Sequence, residues 1–196
     1  MKYRIIENEL IYKGFSEFRK IKIQYETYES GIGEKTVEMV ERGDSASIVL
    51  FEKDTSTLIL AEQFRYPTAK NSGGWIQELV AGRIDDDESV ETTIKRELME
   101  EAGYRVKKIE RIGHYYVSPG YTTERIFIFY SEVMSNDKVL AGGGKFEESE
   151  NIKLIKIPVE ELEQKIKSNS IIDAKTMIGV QWFLLNKWNL IKTPDP

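Results

Sequence analysis

The clearest strand pattern is Lys20-Ile21-Lys22-Ile23-Gln24-Tyr25-Glu26-Thr27-Tyr28, where polar and apolar residues alternate with the period of two that lays one face of a strand on a core. A turn at Glu29-Ser30-Gly31-Ile32-Gly33 follows, and Thr36-Val37-Glu38-Met39-Val40 alternates again. Residues 1–42 are therefore expected to form a small antiparallel sheet. So short a unit has little core of its own and has to pack on the rest of the chain or on a second copy. From Ser45 the pattern changes to unbroken apolar runs, Ser47-Ile48-Val49-Leu50-Phe51 and Thr57-Leu58-Ile59-Leu60-Ala61, which predict a buried hairpin around the polar spacer Glu52-Lys53-Asp54-Thr55-Ser56. Arg125–Tyr130 and Ile152–Ile157 read as further strands. Helical periodicity covers 88–102, 159–168 and 173–188, the last with Asp173 as candidate N-cap. Strands set between helices predict a mixed sheet in an α/β or α+β sandwich, with residues 43–196 as the main domain.

Charge and composition narrow the class. The 196 residues carry 28 Lys+Arg against 33 Asp+Glu, a net charge of −5, with no basic block, which speaks against a nucleic-acid or membrane-surface binder. With Cys 0, a disulfide scaffold, a thiolate zinc site and a cysteine nucleophile are all excluded. No apolar stretch reaches the length of a membrane span, and the first residues lack the apolar core of a signal peptide, so a cytoplasmic location is expected. An acidic protein that handles phosphates needs metal cations as intermediaries.

The helix over 88–102 carries the chemistry. Asp85, Asp86, Asp87 and Glu88 crowd its start, where negative charge meets the positive end of the helix dipole, and Gly103 stands where a left-handed C-terminal cap belongs. On a wheel of about 100° per residue, Ile94, Leu98 and Ala102 extend a buried stripe from Val90, and Glu97 and Glu101 fall within about 20° of Val90 on either side. Two carboxylates one turn apart, beside the buried face and at the negative end of a helix, repel one another. A hard divalent cation, Mg²⁺ or alternatively Mn²⁺, offsets that charge. Arg96 is placed to pair with Glu100 or another carboxylate of the cluster, and Gly82 ends an apolar strand where the backbone has to approach a ligand closely.

Gly82, five residues, Glu88, seven residues, then Arg96-Glu97-Leu98-Met99-Glu100-Glu101-Ala102-Gly103-Tyr104 resembles the Nudix box of the Nudix hydrolases. Tyr104 departs from the pattern, standing where the family has an aliphatic residue. The resemblance implies a Nudix α/β/α sandwich with a mixed sheet, beside the small N-terminal antiparallel sheet. It extends over about Arg42 to Lys187: Glu62-Gln63-Phe64-Arg65, Ser118-Pro119-Gly120 with Glu124 behind, and Gly142-Gly143-Gly144 before Glu147-Glu148-Ser149-Glu150 resemble the ADP-ribose and nucleotide-sugar pyrophosphatases. GDP-mannose hydrolases share most of these marks, including an Arg-Gly pair like Arg42-Gly43.

What the resemblance implies for the site can be carried over residue by residue. Glu97, Glu101 and the carbonyl of Ala81 are implied metal ligands, with Glu150 a further ligand and Glu100 an additional or alternating one. Glu148 is the implied base, with Glu147 as its rival by one register step. Arg96, Glu100 and Glu148 form the implied catalytic set. Arg42, Arg65, Ser118, Gly120 and Glu124 are implied to bind substrate, and Phe15, Phe18, Tyr25 and Tyr28 are candidates to stack on a base. The glycine run is expected to hinge the acidic loop as a lid, and His114 is expected to be structural. The implied activity is Mg²⁺-dependent hydrolysis of ADP-ribose to AMP and ribose 5-phosphate. GDP-mannose hydrolysis is the alternative, and a non-catalytic ADP-ribose sensor the alternative of another class. A homodimer that exchanges residues 1–42 is expected, with no nucleic-acid or membrane partner.

Overall fold

The structure, a computed structural model, describes residues 2–145 and 150–188. These divide into two units, Met1–Asp44 with Tyr115–Arg125, and Ser45–His114 with Ile126–Pro196.

In the first unit, β1 (Tyr3–Lys13), β2 (Glu17–Glu26) and β3 (Ile32–Glu41) form an antiparallel sheet in that order. The β2–β3 ladder runs without a slip from Glu17↔Glu41 to Glu26↔Ile32, as the alternation of both segments requires. β1 is a strand that the alternation does not single out, and its ladder shows why. The register shifts between Ile5 and Glu7 and again between Leu10 and Tyr12. Each shift changes which face a residue takes, so the apolar pairs Ile5-Ile6 and Leu10-Ile11 sit where a strict period of two breaks. Residues 115–125 join this unit through Val40, whose amide donates to Tyr121 O at 2.8 Å and whose carbonyl accepts from Thr123 N at 3.2 Å.

In the second unit, β4 (Ser45–Glu52) and β5 (Thr57–Phe64) form the expected hairpin, with Leu50↔Ile59 and Phe51↔Leu58 paired. After a short helix α1 (Ala69–Ser72), β6 (Trp75–Glu78) pairs with β5 and β7 (Val80–Arg83) with β4. α2 (Val90–Glu97) follows, then β8 (Glu110–Tyr116), β9 (Arg125–Val133), β10 (Lys153–Pro158), α3 (Val159–Lys167) and α4 (Ala174–Phe183). The strand order is β10-β5-β4-β9-β8, and because β4 runs parallel to β9 but antiparallel to β5 the sheet is mixed.

Side chains of the central strands alternate between two cores. Ala46, Ile48, Leu50, Ile59, Ala61, Phe127 and Phe129 pack with Ile94, Leu98 and Ala102 of the α2 region. Val49, Phe51, Leu58, Leu60, Ile126, Ile128 and Tyr130 pack with Val159, Leu162, Val180 and Phe183 of α3 and α4. Burial on both faces is the reason these strands read as continuous apolar runs. The architecture is the expected sandwich of helices on a mixed sheet. Among the described residues, no helix is long and apolar enough to cross a membrane.

Tyr104, the residue that departs from the family pattern, is buried in the first of these cores, and its hydroxyl donates to Glu52 Oε1 at 2.6 Å. Glu52 is itself fully buried and accepts from Lys156 Nζ and Thr55 Oγ1, each at 2.5 Å. Desolvation is the largest influence on this carboxyl and pushes it up, but the hydrogen bonds from Lys156, Thr55 and Tyr104 together hold it below its ordinary value.

Candidate active site

Ser89 caps α2 by accepting from Thr92 N at 3.1 Å. The helix does not stop at Glu97: a π-helical turn, Leu98–Ala102, extends it to Gly103, whose φ of 74° and bond to Met99 O make the expected left-handed cap. The turn is wider than an α-helical one, so a wheel of even steps fails beyond Glu97. Glu97 and Glu101 nevertheless both point inward, 8% and 2% exposed.

Strand β7 supplies the opposite wall. A β-carbon on Gly82 would overlap the Glu97 carboxylate, so glycine is what leaves room for that side chain. One residue earlier, Ala81 N donates to Glu101 Oε2 at 3.4 Å. Arg96 organises the outer side of the cluster. Its Nε and Nη2 reach Glu88 at 3.0 and 2.9 Å, and its Nη1 reaches Glu97 at 2.7 Å and Glu100 at 3.2 Å. This fork-like engagement goes well beyond a surface i,i+4 pair. Lys145 Nζ lies 2.9 Å from Glu100, and Lys145 N donates to Glu150 Oε2 at 2.8 Å.

The three glycines are tied to the end of this helix. Gly143 N donates to Glu101 O at 2.7 Å and Gly144 N to Glu100 O at 3.2 Å, so the run satisfies carbonyls that the helix end leaves open. All three glycines have positive φ. The expected hinge is thus, up to Gly144, a hydrogen-bonded cap on the residues that carry the carboxylates.

Desolvation, then the nearby Glu97 and Glu150 charges, push the Glu101 carboxyl up to about 8. Desolvation also raises Glu97, with Arg96 opposing and Glu100 and Glu150 adding to it. Glu88 is held low by its bonds from Arg96 and Thr93. Two buried carboxylates that are costly to ionise, one of them hydrogen-bonded among the described residues only through an uncharged amide, fit a divalent cation, as does a main-chain carbonyl beside a glycine that keeps the space open. Among the described residues, no three His, Asp or Glu side chains form a ready-made cage. The implied donor set instead combines Glu97, Glu101 and the Ala81 carbonyl, with Glu150 close enough to raise both carboxyls.

The remaining implied residues fall in different places. Arg65 is in the second unit, its Nε 2.8 Å from the buried Glu78 carboxylate. Arg42, Ser118 and Glu124 line a cavity of about 480 Å³ in the first unit, with Phe15, Val40 and Tyr121. There the Arg42 guanidinium lies 5.9 Å from the Phe15 ring centroid and 3.9 Å from Glu124. Gly120, on the same segment, has an exposed backbone and does not line the cavity. Of the stacking candidates, Phe15 is at this cavity, Tyr28 is exposed, and Phe18 and Tyr25 are half-buried on β2. Glu147 and Glu148 lie outside the described residues. His114 is exposed, with its ring stacked on Phe127 at 5.4 Å between centroids. Sequence reading misses Glu78, Lys175 and Lys145. An isolated Lys or Glu carries no signal of its own, and Glu78 meets Lys175 only through the tertiary fold.

A family model described as NUDIX domain matches residues 41–177. The chain is 32% identical over 197 residues to the GDP-mannose pyrophosphatase of Yersinia pestis (strain Pestoides F), covering 100% of this chain and 98% of that one. It is 31% identical over 179 residues to the GDP-mannose pyrophosphatase of Cronobacter sakazakii (strain ATCC BAA-894), covering 90% and 92%. A solved structure titled as an ADP compounds hydrolase matches the fold with a TM-score of 0.75 at 18% identity, covering 100% of this chain and 98% of that one.

Proposed function

Because the chain belongs to the NUDIX family, we propose that it hydrolyses the pyrophosphate link of a nucleoside diphosphate sugar, giving a nucleoside monophosphate and a sugar phosphate. The observation that carries this is the Glu97–Glu101 pair, buried opposite Ala81 and Gly82 and steadied by Arg96. Glu97, Glu101 and the Ala81 carbonyl would hold a divalent cation, Mg²⁺ by our reading, with Glu150 and Glu100 as further donors. Such an ion, when bound, draws charge from phosphoryl oxygens and lowers the pKa of water. Arg96 fixes Glu88, Glu97 and Glu100 relative to one another, so the carboxylates need not reorganise when substrate arrives. Glu148 is proposed to take the proton of the attacking water, on its place in the acidic loop. Arg42, Arg65, Ser118, Gly120 and Glu124 are proposed to bind the substrate, the two arginines through forked donors that suit phosphate oxygens.

GDP-mannose comes first among the substrates because relatives matched over most of their length bear that name; ADP-ribose is the second reading, supported by the resemblance of the flanking motifs to ADP-ribose pyrophosphatases. We also propose a homodimer through the N-terminal sheet, on which Tyr3, Ile5, Leu10, Tyr12 and Ile32 are exposed apolar residues. Incubation with GDP-mannose, ADP-ribose or NADH in the presence of Mg²⁺, with products identified by mass spectrometry, tests the activity. GMP with mannose 1-phosphate, or AMP with ribose 5-phosphate, is expected. No cleavage of any of the three, or undiminished cleavage in EDTA, would overturn it.

A further inference from the structure

β6 pairs with β5 as far as Glu78↔Ala61, and β7 pairs with β4 from Val80↔Ile48. Leu79, between them, belongs to neither ladder, and its amide would be a buried donor lacking a ladder partner. It donates instead to Thr176 Oγ1 of α4 at 2.8 Å, across 97 residues of sequence. Thr176 is 0% exposed, and its own hydroxyl proton goes to Asp173 Oδ2 at 2.6 Å. Asp173 also accepts from Thr176 N at 3.0 Å as the N-cap of α4. The hydroxyl lone pair is thereby aimed at Leu79, since its proton is committed elsewhere.

Two neighbouring contacts hold the same junction. The buried Glu78 carboxylate meets Lys175 and Arg65, and Lys175 Nζ is also 3.0 Å from Asp173. One turn along α4, a β-carbon on Gly179 would come within 2.6 Å of Val49 Cγ2 and 2.9 Å of Leu79 Cδ1, so the helix lies as close to Leu79 as a glycine permits. The chain then needs only two more residues to reach Ala81, whose amide bonds Glu101. Leu79 is thus two residues from both the Ala81 carbonyl and the amide that meets the Glu101 carboxylate.

We propose that Thr176 is a positioning residue for the metal-binding segment: through Leu79 it sets the Ala81 carbonyl against Glu97 and Glu101. This rests on the reading above that these three groups hold the cation. The test is Mn²⁺ binding to the full chain without substrate, followed by electron paramagnetic resonance, alongside thermal melts and steady-state kinetics. Thr176→Val keeps the volume but removes the acceptor, and is expected to weaken Mn²⁺ binding by about tenfold, the usual scale for a supporting partner of a ligand. The Mn²⁺ concentration for half-maximal activity should rise by the same factor while the substrate KM at saturating metal holds. Thr176→Ser, which restores the acceptor, should recover wild-type binding.

A folded Thr176→Val protein with unchanged Mn²⁺ affinity would overturn the proposal. Glu97→Gln separates the two readings. If Glu97→Gln weakens binding and Thr176→Val does not, only the positioning role fails; if Glu97→Gln leaves binding unchanged, the metal reading fails and this proposal with it. Should Thr176→Val not fold, Thr176→Ala is measured in its place. If neither folds while Thr176→Ser does, Thr176 serves stability alone and the proposal is wrong.

Discussion

Gly82 and Glu97 stand so close that a single added β-carbon on the glycine would occupy the position of the Glu97 carboxylate. Gly82→Ala is therefore expected to act as a metal-site variant although no ligand is changed. The Glu97 carboxylate has to move, which breaks its 2.7 Å bond to Arg96 Nη1 as well as its place against Gly82. Activity should fall by about 100-fold or more, as for loss of a residue that orients charge in the site. Wild-type turnover in this variant would show that Glu97 has another workable position.

Arg96 satisfies four carboxylates at once, Glu88, Glu97 and Glu100 by hydrogen bonds and Asp85 at 3.7 Å. Arg96→Met leaves them facing one another with no shared cation, and should cost about 1.5–3 kcal/mol of stability, the scale of a part-buried hydrogen bond between charged groups. Arg96→Lys should recover only part of this, because an ammonium cannot span Glu88 and Glu97 with a planar fork. Urea melts of the three proteins measure the difference. Equal midpoints would mean that water replaces the guanidinium at no cost.

The raised Glu101 carboxyl sets a pH dependence whose sign follows directly. With a folded value of about 8 against an ordinary 4.5, the folded state keeps a proton that the unfolded state releases between these values. The metal-free protein should therefore lose stability as pH rises through that window, by a few kcal/mol, while below about 4.5 the stability is fully present and this group adds no pH dependence. Cation binding should release protons and tighten toward pH 8. Melting temperature against pH in EDTA tests this, and Glu101→Gln should flatten the curve. A wild-type melting temperature that climbs from pH 5 to pH 8 in EDTA would contradict the burial argument.

The candidate site of the second unit is legible in outline because its residues sit at fixed spacings on one helix and one strand end. Gly82 meets Glu97 and Ala81 meets Glu101 where β7 faces the helix, and the helical spacing of the two glutamates already suggests a shared inner face, although a π-helical turn and not an even wheel carries Glu101 there. The π-helical turn at Leu98–Ala102 was not legible, since shifting hydrogen bonds by one residue leaves no mark on the hydrophobic pattern. β1 carries no strand pattern for a related reason: its two register shifts erase the alternation of faces. Thr176 on Leu79, and Lys175 on Glu78, depend on where α4 docks, which no local period encodes.

The Tyr104 hydroxyl donates to the buried Glu52 beside Thr55 and Lys156. Tyr104→Phe keeps the ring in the core but takes away one hydrogen bond to a charged group, an expected loss of about 1.5–3 kcal/mol. Lys156→Met should cost more, because it leaves the carboxylate buried without its cation. Neither should alter metal affinity. Thermal melts rank the two, and a Tyr104→Phe protein as stable as the wild type would show that Lys156 and Thr55 suffice for Glu52.

The cavity of the first unit gives the sharpest separation of substrate binding from metal binding. Arg42 lies over Phe15 and 3.9 Å from Glu124, an arrangement of aromatic face, cation and acceptor suited to a polar ring or a sugar phosphate. Arg42→Ala and Glu124→Gln each remove a group proposed to hold substrate equally in the ground and transition states. Such a loss raises KM and spares kcat. A charged hydrogen bond of about 1.5–3 kcal/mol corresponds to an increase of roughly 10-fold to 100-fold in KM. Mn²⁺ affinity should stay at the wild-type value in both variants, since neither side chain belongs to the proposed donor set. If kcat falls and KM holds, these side chains act in the transition state and belong with the catalytic set. If neither constant moves, the substrate does not use this cavity, and Arg65 becomes the residue to vary next.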